Sequence, residues 1–213
     1  MKKLLLPLLL ISLIACKKEV NKPVDNKVDS TAQERSDSTN TTNQSTASKA
    51  EVLKKVNDEI LQVLKNKNYK KLAEYIHPEK GVRFSMYAFV NPKEDKTFSK
   101  ADFEKYQPTK NIFTWGAHDG SGDLYKETIN DYLGKWVFSK DFTTAQFSLD
   151  KFQGEGNSLN NLEKIYPKNS FTENYIKGSE KNGEMDWKTL RFVFEEFQGK
   201  YYLVGVINDQ WTV

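Results

Sequence analysis

The spacing of the apolar positions changes near residue 81, and this change predicts helices first and strands afterwards. Ser48 and Glu51 have the spacing of a capping box, a signature of a helix start. The apolar positions that follow recur with a period near 3.6 and predict an amphipathic helix of about 17 residues. They are Val52, Val56, Ile60, Val63 and Leu64. A shorter helix capped by Asn68 is predicted next, and Pro78 ends it because the residue before a proline avoids the helical region.

After Gly81 the period becomes two, which predicts a strand with distinct faces. One face carries Val82, Phe84, Met86, Ala88 and Val90. Further strands are predicted at residues 112–115, 145–149 and 171–177. Ser99 and Thr128 each stand three residues before an Asp, a spacing that begins helical turns. A short helix is predicted at residues 159–165, before Pro167.

The clearest strand pattern lies at residues 187–197 and 201–212, which are rich in aromatic and branched side chains. We predict a long hairpin with residues 198–200 as its turn, where Gly199 can adopt positive φ. The residues predicted to face each other are Leu190, Phe192 and Phe194 on the first strand and Val204 and Val206 on the second. This order of elements predicts an α+β domain, with N-terminal helices packed on a curved antiparallel sheet that ends in the hairpin.

The order of elements resembles the nuclear transport factor 2-like, or cystatin-like, superfamily. In that superfamily a curved antiparallel sheet wraps around a long N-terminal helix and forms a cone with a pocket. Further landmarks resemble an uncharacterised family of bacterial lipoproteins and secreted proteins, and they are residues 77–85, 115–116, 119–122, 185–187, 203–205 and 209–212. The chain departs from that family at Glu184, where Gly is usual, and at Asn208, where His is common. The resemblance implies a fold and a compartment, and it implies no reaction.

The first residues read as an export signal. Lys2 and Lys3 precede a mainly apolar segment of eleven residues, 4–14, which at about 1.5 Å per residue cannot cross about 30 Å of hydrocarbon. Leu13-Ile14-Ala15-Cys16 then matches the lipobox of bacterial lipoproteins. This resemblance implies a signal peptide at residues 1–15, cleavage before Cys16, and acylation of Cys16 that anchors the chain to a membrane.

The predicted domain boundaries follow from composition. Residues 16–47 are mostly polar and contain no aromatic residue, so they are predicted to be a lipidated, disordered tether. All 13 Phe, 10 Tyr and 4 Trp lie later in the chain, which places a single folded domain at residues 48–213. Lys17 follows the cysteine, where Asp commonly causes inner-membrane retention. The outer membrane of the cell envelope is therefore favoured as the location. The sequence is compatible with either the periplasmic or the surface face of that membrane.

Charge and motifs exclude several functions. The formal net charge is +3 and the Lys residues are interspersed with acids, so nucleic-acid binding is not predicted. The chain has no Gly-x-Ser-x-Gly elbow, and its single cysteine is Cys16, so the common nucleophilic mechanisms are unsupported.

The metal-binding signals are weak, and no cofactor or metal is predicted. His77 and His118 are the only histidines, and they lack the further ligands that a zinc site needs. Residues 119–123 alternate oxygen-bearing side chains as calcium loops do. They depart from the EF-hand pattern at Leu124 and Asn130, so a tight turn is favoured and a calcium site of another type stays open.

Several side chains could line a pocket in the implied cone. They are His77, Arg83, Trp115, Asp119, Asp186, Trp187, Arg191, Asp209 and Trp211. Desolvation beside aromatic rings raises the pKa of a carboxylate, which would suit acid–base chemistry. In the alternative interpretation, which we favour, Trp187 and Trp211 close the cone, while Asp186 and Asp209 lie exposed at strand ends.

We therefore expect a lipid-anchored binding or interaction module, with a small molecule or an envelope protein as its partner. One rival hypothesis is an envelope enzyme that uses a carboxylate or His77 in the cone. Another is a structural surface lipoprotein with a filled cone. A homodimer through one face of the sheet is compatible with the Tyr201–Tyr202 pair.

Overall fold

The long helix begins where the capping box predicts it. A computed structural model describes residues 48–154 and 156–213, so the predicted signal peptide, Cys16 and tether lie outside the described residues. The Ser48 side chain accepts from the backbone N–H of Glu51, and the Glu51 carboxylate accepts from the backbone N–H of Ser48. Helix α1 (Lys49–Lys65) follows.

The described residues contain four shorter helices and eight strands. The helices are α2 (Tyr69–Leu72), α3 (Lys100–Tyr106), α4 (Ile129–Tyr132) and α5 (Leu162–Ile165). The strands are β1 (Val82–Ser85), β2 (Lys96–Phe98), β3 (Phe113–Ala117), β4 (Leu124–Glu127), β5 (Gln146–Leu149), β6 (Ser170–Ile176), β7 (Lys188–Phe197) and β8 (Lys200–Gln210). Short 3-10 and π turns complete the described elements. Among the residues described, none of the helices has the length and apolar character needed to cross a bilayer.

The helix caps follow the predictions with one exception. Ser99 accepts from the N–H of Asp102 and begins α3, and Thr128 accepts from the N–H of Asp131 and begins α4. Asn68 makes no side-chain cap to α2, so that prediction was wrong.

Six strands form one sheet in the order β2-β1-β8-β7-β6-β5, and β3 and β4 form a separate hairpin. The prediction of a purely antiparallel sheet was wrong, because β1 pairs in parallel with β8. This pairing sets Phe84 in register with Val206, and both side chains enter the same core. Helices α3, α4 and α5 lie between strands in the sequence, so the helices do not all precede the sheet.

The terminal hairpin is confirmed, with a shorter turn than predicted. Gln198 and Gly199 have φ of 51° and 75°, the positive values that a two-residue hairpin turn uses. The β7–β8 register shifts between Val193 and Phe194, so a bulge reverses the alternation beyond it. Val204 therefore packs with Val193 rather than with the predicted row of Phe192 and Phe194.

Strand β1 ends at Ser85, five residues before the end of the predicted strand. The Ser85 hydroxyl bonds to the carbonyls of Tyr87 and Phe89, and the chain bends there. The predicted alternation of burial nevertheless continues through Met86, Ala88 and Val90, which are buried.

The sheet packs on both faces. We call the face that carries Leu190 and Phe192 the inner face, and the face that carries Arg191 and Val193 the outer face. The inner face joins α1 in the larger hydrophobic core. The outer face carries a smaller core, which consists of Val90, Leu162, Phe171, Val193, Val204 and Ile207.

A buried amide network joins α1 to the inner face. Asn57 is fully buried, and its carbonyl oxygen accepts from Thr172 Oγ1 at 2.8 Å and from Asn174 Nδ2 at 2.9 Å. Asn57 Nδ2 donates in turn to Asn174 Oδ1 at 3.0 Å. These bonds fix the rotation and height of the helix on β6, since each buried polar group needs its partner.

We predict that Asn57→Ala lowers the free energy of unfolding by about 2 kcal/mol or more, because it removes the hydrogen-bond partners of Thr172 Oγ1 and Asn174 Oδ1. Lys55→Ala, on the exposed side of α1, is the matched control and should change stability by less than about 0.5 kcal/mol. Urea denaturation of both variants measures the difference. Equal stability of the two variants would contradict the proposed role of the network.

Candidate functional site

A cluster of charged side chains lies on the outer face of the sheet, at the centre of three strands. Strand pairing sets Glu173 on β6 opposite Arg191 on β7, and Asp209 follows on β8, on the same face. The Arg191 and Glu173 side chains are fully buried, and Asp209 is 3% exposed. Arg191 Nε donates to Glu173 Oε2, and Arg191 Nη2 lies 3.1 Å from Asp209 Oδ2. We call Glu173, Arg191 and Asp209 the charged triad.

A loop covers the charged triad and supplies several of its hydrogen bonds. We call residues 150–161 the strap; Glu155 within it lies outside the described residues. The backbone N–H groups of Gln153 and Gly154 donate to Glu173 Oε1 at 2.6 and 2.7 Å, and Arg191 Nη2 donates to the carbonyl of Gly154 at 2.9 Å. The strap therefore supplies the polar partners that water would supply to an open cluster.

The strap is anchored beside the triad and at both ends. Phe152 stacks on Phe171 with ring centroids 4.6 Å apart, and the guanidinium of Arg191 lies 5.0 Å from the centroid of the Phe152 ring. At one end Asp150 Oδ1 accepts from the backbone N–H of Phe171, and at the other Asn161 exchanges two bonds with the backbone of Val90. The covered face is consequently held from several directions.

Two glycines let the strap approach the sheet closely. A Cβ atom on Gly154 would lie 2.3 Å from Thr189 Cγ2, and one on Gly156 would lie 2.6 Å from Trp187 Cζ2. Real Cβ atoms do not come so close to other atoms, so a side chain at either position would displace the strap or its neighbours. Trp187 thus forms part of the floor beneath the strap.

A cavity of about 320 Å³ opens between the strap and the sheet. Its lining consists of Phe152, Gly154, Gly156, Ser158, Asn160 and Asp209. Asp209 Oδ1 is a buried oxygen that has no hydrogen-bond partner, and Arg191 Nη1 in the triad is likewise unpartnered among the described residues. Burial raises the pKa of Asp209 to about 6, although Arg191 and the nearby backbone N–H of Gln210 act in the opposite direction. The Gln210 N–H does not form a hydrogen bond of normal geometry with Asp209, so Oδ1 is left without a partner. We call this cavity the Asp209 pocket.

The structure brings three of the sequence-predicted residues together: Trp187, Arg191 and Asp209. The favoured interpretation placed Asp209 exposed at a strand end, and that was wrong because the strap covers it. Trp211 is 39% exposed and does not line the pocket.

The other predicted residues lie elsewhere and have local roles. Arg83 donates to the carbonyls of residues 91 and 92. Trp115 is buried and stacks on Tyr132 with ring centroids 3.7 Å apart. Asp119 accepts from the backbone N–H of Val213 at 2.6 Å, in the loop between β3 and β4. Asp186 accepts from Ser179 and Asn182 in a second loop.

His77 forms part of a turn rather than an open site. Its side chain is 1% exposed, and Nδ1 accepts from the backbone N–H groups of Glu79 and Lys80 at 3.2 and 3.1 Å. Its Nε2 lies 3.9 Å from Glu195 Oε1, beyond hydrogen-bond distance. His77 therefore stabilises the turn through Nδ1, and its Nε2 is buried without a hydrogen-bond partner among the described residues.

Glu173 is the site residue that the sequence analysis missed. It alternates with Phe171 and Tyr175 on one face of a predicted strand. An acid in such a row is costly to bury alone, so it indicates a cationic partner. Arg191, in a similar apolar row of the next strand, was the available signal.

Other cavities lack this combination of features. A smaller one of about 230 Å³ includes Asp95, whose pKa burial raises to about 6, but its Oδ2 accepts from the backbone N–H of Asn91. Grooves of about 670 and 730 Å³ run beside α1. In the described part of the chain, no residue that lines either groove has a buried polar atom without a hydrogen-bond partner.

The structure groups no metal ligands in the part of the chain it describes: no three His, Cys, Asp or Glu side chains there are close enough to hold an ion. Residues 119–123 form the hairpin loop between β3 and β4, with φ of 77° at Gly120 and 73° at Gly122. This is the tight turn that the sequence predicts, and the glycines provide its left-handed backbone conformations.

Comparison with known proteins identifies neither a family nor a function for this chain. The chain matches no protein-family model and no curated protein. One similar solved structure is a protein from Xanthomonas campestris described as a calcium/calmodulin dependent protein kinase II association domain. The two sequences are 12% identical over 77% of this chain and 89% of that one, with a TM-score of 0.35. A TM-score of this size does not establish a shared fold.

The raised pKa of Asp209 predicts a change of stability with pH. The folded state binds the Asp209 proton more tightly than the unfolded chain does, because the pKa of an Asp side chain in the unfolded chain is about 3.8. The contribution of this group is therefore fully present below about pH 4 and is lost as the pH rises through about 6. We expect Asp209→Asn to reduce the gain in melting temperature that the protein shows between pH 7 and pH 5.

Asp186→Asn is the matched control for this measurement. Hydrogen bonds from Ser179 and Asn182 lower the pKa of Asp186 to about 2, so this group does not titrate between pH 5 and 7. Its variant should keep the wild-type dependence of melting temperature on pH. If Asp209→Asn also kept it, the carboxyl at residue 209 would not be the titrating group.

Proposed function

We propose that this protein is a lipid-anchored binding module of a bacterial cell envelope, and that its domain holds a small polar molecule in the Asp209 pocket. The observation that carries the proposal is the buried Asp209 Oδ1, which lines this pocket and has no partner among the described residues. An unpaired buried acceptor costs about 1–3 kcal/mol, and a ligand that donates to it removes that cost.

The size and lining of the pocket support a small ligand. Its volume of about 320 Å³ is near the lower end of the range of about 300–1,000 Å³ that is usual for ligand sites. Apart from Phe152, the described lining is polar or backbone, and it includes Ser158 and Asn160. A compact molecule with several hydrogen-bonding groups fits this lining better than an apolar one.

We also propose a specific fold for the α+β domain. A long N-terminal helix on the inner face of a sheet that ends in a long hairpin supports a nuclear transport factor 2-like cone. The inner face is filled by α1 side chains such as Leu53 and Ile60 packed with Phe192. We therefore propose that the ligand site lies under the strap, on the outer face, and not inside the cone.

An enzyme remains the second candidate, and the pKa of Asp209 is the observation that favours it. A carboxylate with a pKa of about 6 is suited to act as a general base near neutral pH. In that case Asp209→Asn would lower a turnover rate by orders of magnitude, whereas in a binding module it changes affinity alone.

The membrane anchor rests on the lipobox that ends at Cys16. We predict that the wild-type chain, expressed in its bacterial host, partitions into the detergent phase and that Cys16→Ala moves it to the aqueous phase. Several acyl chains anchor strongly because each buried CH₂ contributes about 0.8 kcal/mol. A Cys16→Ala variant that still partitioned into detergent and stayed with the membrane fraction would contradict lipidation at this residue.

Native mass spectrometry of the full chain, extracted gently from its own envelope in detergent, tests the binding function. We expect an adduct of reproducible mass that disappears on denaturation. It should be absent from Asp209→Asn and present in Asp186→Asn, which removes the same charge outside the pocket. A clean apo mass for the wild-type protein would argue against a tightly bound small molecule, and the same spectra report whether the chain forms a homodimer.

A further inference from the structure

We propose that the molecule held in the Asp209 pocket carries a positively charged amine, which donates to Asp209 Oδ1. This inference rests on the proposed binding function and specifies the chemistry of its ligand. It follows from the charges of the triad, from the one acceptor left open, and from the shape of the pocket.

The charged triad is not electrically balanced. It joins two carboxylates, Glu173 and Asp209, to the single guanidinium of Arg191. Glu173 accepts three N–H bonds, which suits an ionised carboxylate. Above about pH 6 Asp209 is also mainly ionised, so the triad holds one excess negative charge in a place that water reaches poorly. A buried charge of this kind is strongly stabilised by a cation.

The open acceptor belongs to the residue that faces the cavity. Asp209 Oδ2 forms an ion pair with Arg191 Nη2, whereas Oδ1 has no partner. Arg191 cannot readily turn to serve both oxygens, because its Nε is bound to Glu173 and its guanidinium packs against Phe152. Thr189 lies opposite Asp209 on β7, but its buried hydroxyl makes no hydrogen bond to Oδ1. Since Asp209 lines the cavity, a ligand there can supply the missing donor.

The charge of the site indicates which kind of ligand group can pair with Asp209. An anionic ligand, such as a carboxylate or phosphate, would bring a like charge to Asp209. A neutral hydroxyl group would satisfy Oδ1 but leave the excess charge in place. A protonated amine does both, since it forms a charge-assisted hydrogen bond and balances the triad.

The strap favours a small free amine over the side chain of a partner protein. Asp209 is 3% exposed and lies beneath the strap, so a lysine of another protein would have to enter past it. Ser158 and Asn160 also line the pocket, and their polar groups can contact a hydroxyl group of the ligand. Ethanolamine, which has an ammonium and a hydroxyl group, is accordingly the simplest probe.

Isothermal titration calorimetry with the full chain in detergent tests the inference with three probes of similar size. Ethanolamine carries the amine, ethylene glycol replaces it with a neutral hydroxyl group, and glycolate replaces it with a carboxylate. We expect saturable binding of ethanolamine at least tenfold tighter than that of either other probe. Because this comparison uses the wild-type protein, it does not depend on the folding of a variant.

Two variants then locate the binding. Asp209→Asn should weaken ethanolamine binding at least tenfold, and Asp186→Asn should leave it unchanged. Equal or tighter binding of ethylene glycol or glycolate would overturn the amine inference, as would ethanolamine binding that survives Asp209→Asn. The absence of ethanolamine binding would overturn it as well. The proposed function is judged separately by the mass adduct and its dependence on Asp209.

Discussion

The arrangement of the outer face depends on a single buried arginine. Arg191 has no exposed surface, and a guanidinium in that position is tolerated only with carboxylates beside it. Glu173 and Asp209 supply them from the two neighbouring strands: Glu173 lies directly opposite Arg191, and Asp209 lies diagonally across from it on the same face. Removal of one partner of a buried ion pair costs about 3–5 kcal/mol, so the strands and the strap are constrained together.

The buried polar groups on the two faces of the sheet have different kinds of hydrogen-bond partners. On the inner face Asn57 and Asn174 pair amide to amide, and the bonds close on the protein itself. On the outer face the triad recruits backbone groups of the strap and still leaves Asp209 Oδ1 without a partner. The inner arrangement fixes a helix, whereas the outer one leaves bonding capacity at a cavity. This difference is why the proposed site lies on the outer face.

Local features of the fold could be predicted from the sequence because they depend on neighbouring residues. The capping box at Ser48 and the hairpin turn at Gly199 are of this kind, and both were found at the predicted positions. The parallel pairing of β1 with β8 could not be predicted, because it joins residues such as Phe84 and Val206 that are distant in the chain. The bulge on β8 at Val204 was equally hidden, because Leu203 and Val204 are both apolar and the sequence does not show that they face opposite sides of the sheet.

The candidate site was predictable in part for the same reason. Arg191 and Asp209 stand out as charges in strand patterns, and both were named as candidates. Their burial depends on the strap, in which residues 150–158 show no regular period and residues 159–161 were predicted to begin a helix that in fact starts at Leu162. Glu173 becomes meaningful only once β6 is paired with β7, so a single sequence could not connect it with Arg191.

The position of β8 in the sheet has a consequence for how the chain reaches its native state. Strand β8 lies between β1 and β7, and Arg83 is in register with Gly205, about 120 residues away. Contacts over such long sequence separations slow folding, since a large loop must close before they form. Until β8 has been synthesised, β1 and β2 have no partner on that side and the charged triad has only two of its three members. The six-stranded sheet and the charged triad can therefore be completed only after β8 has left the ribosome, so the long-range contacts of this domain form last.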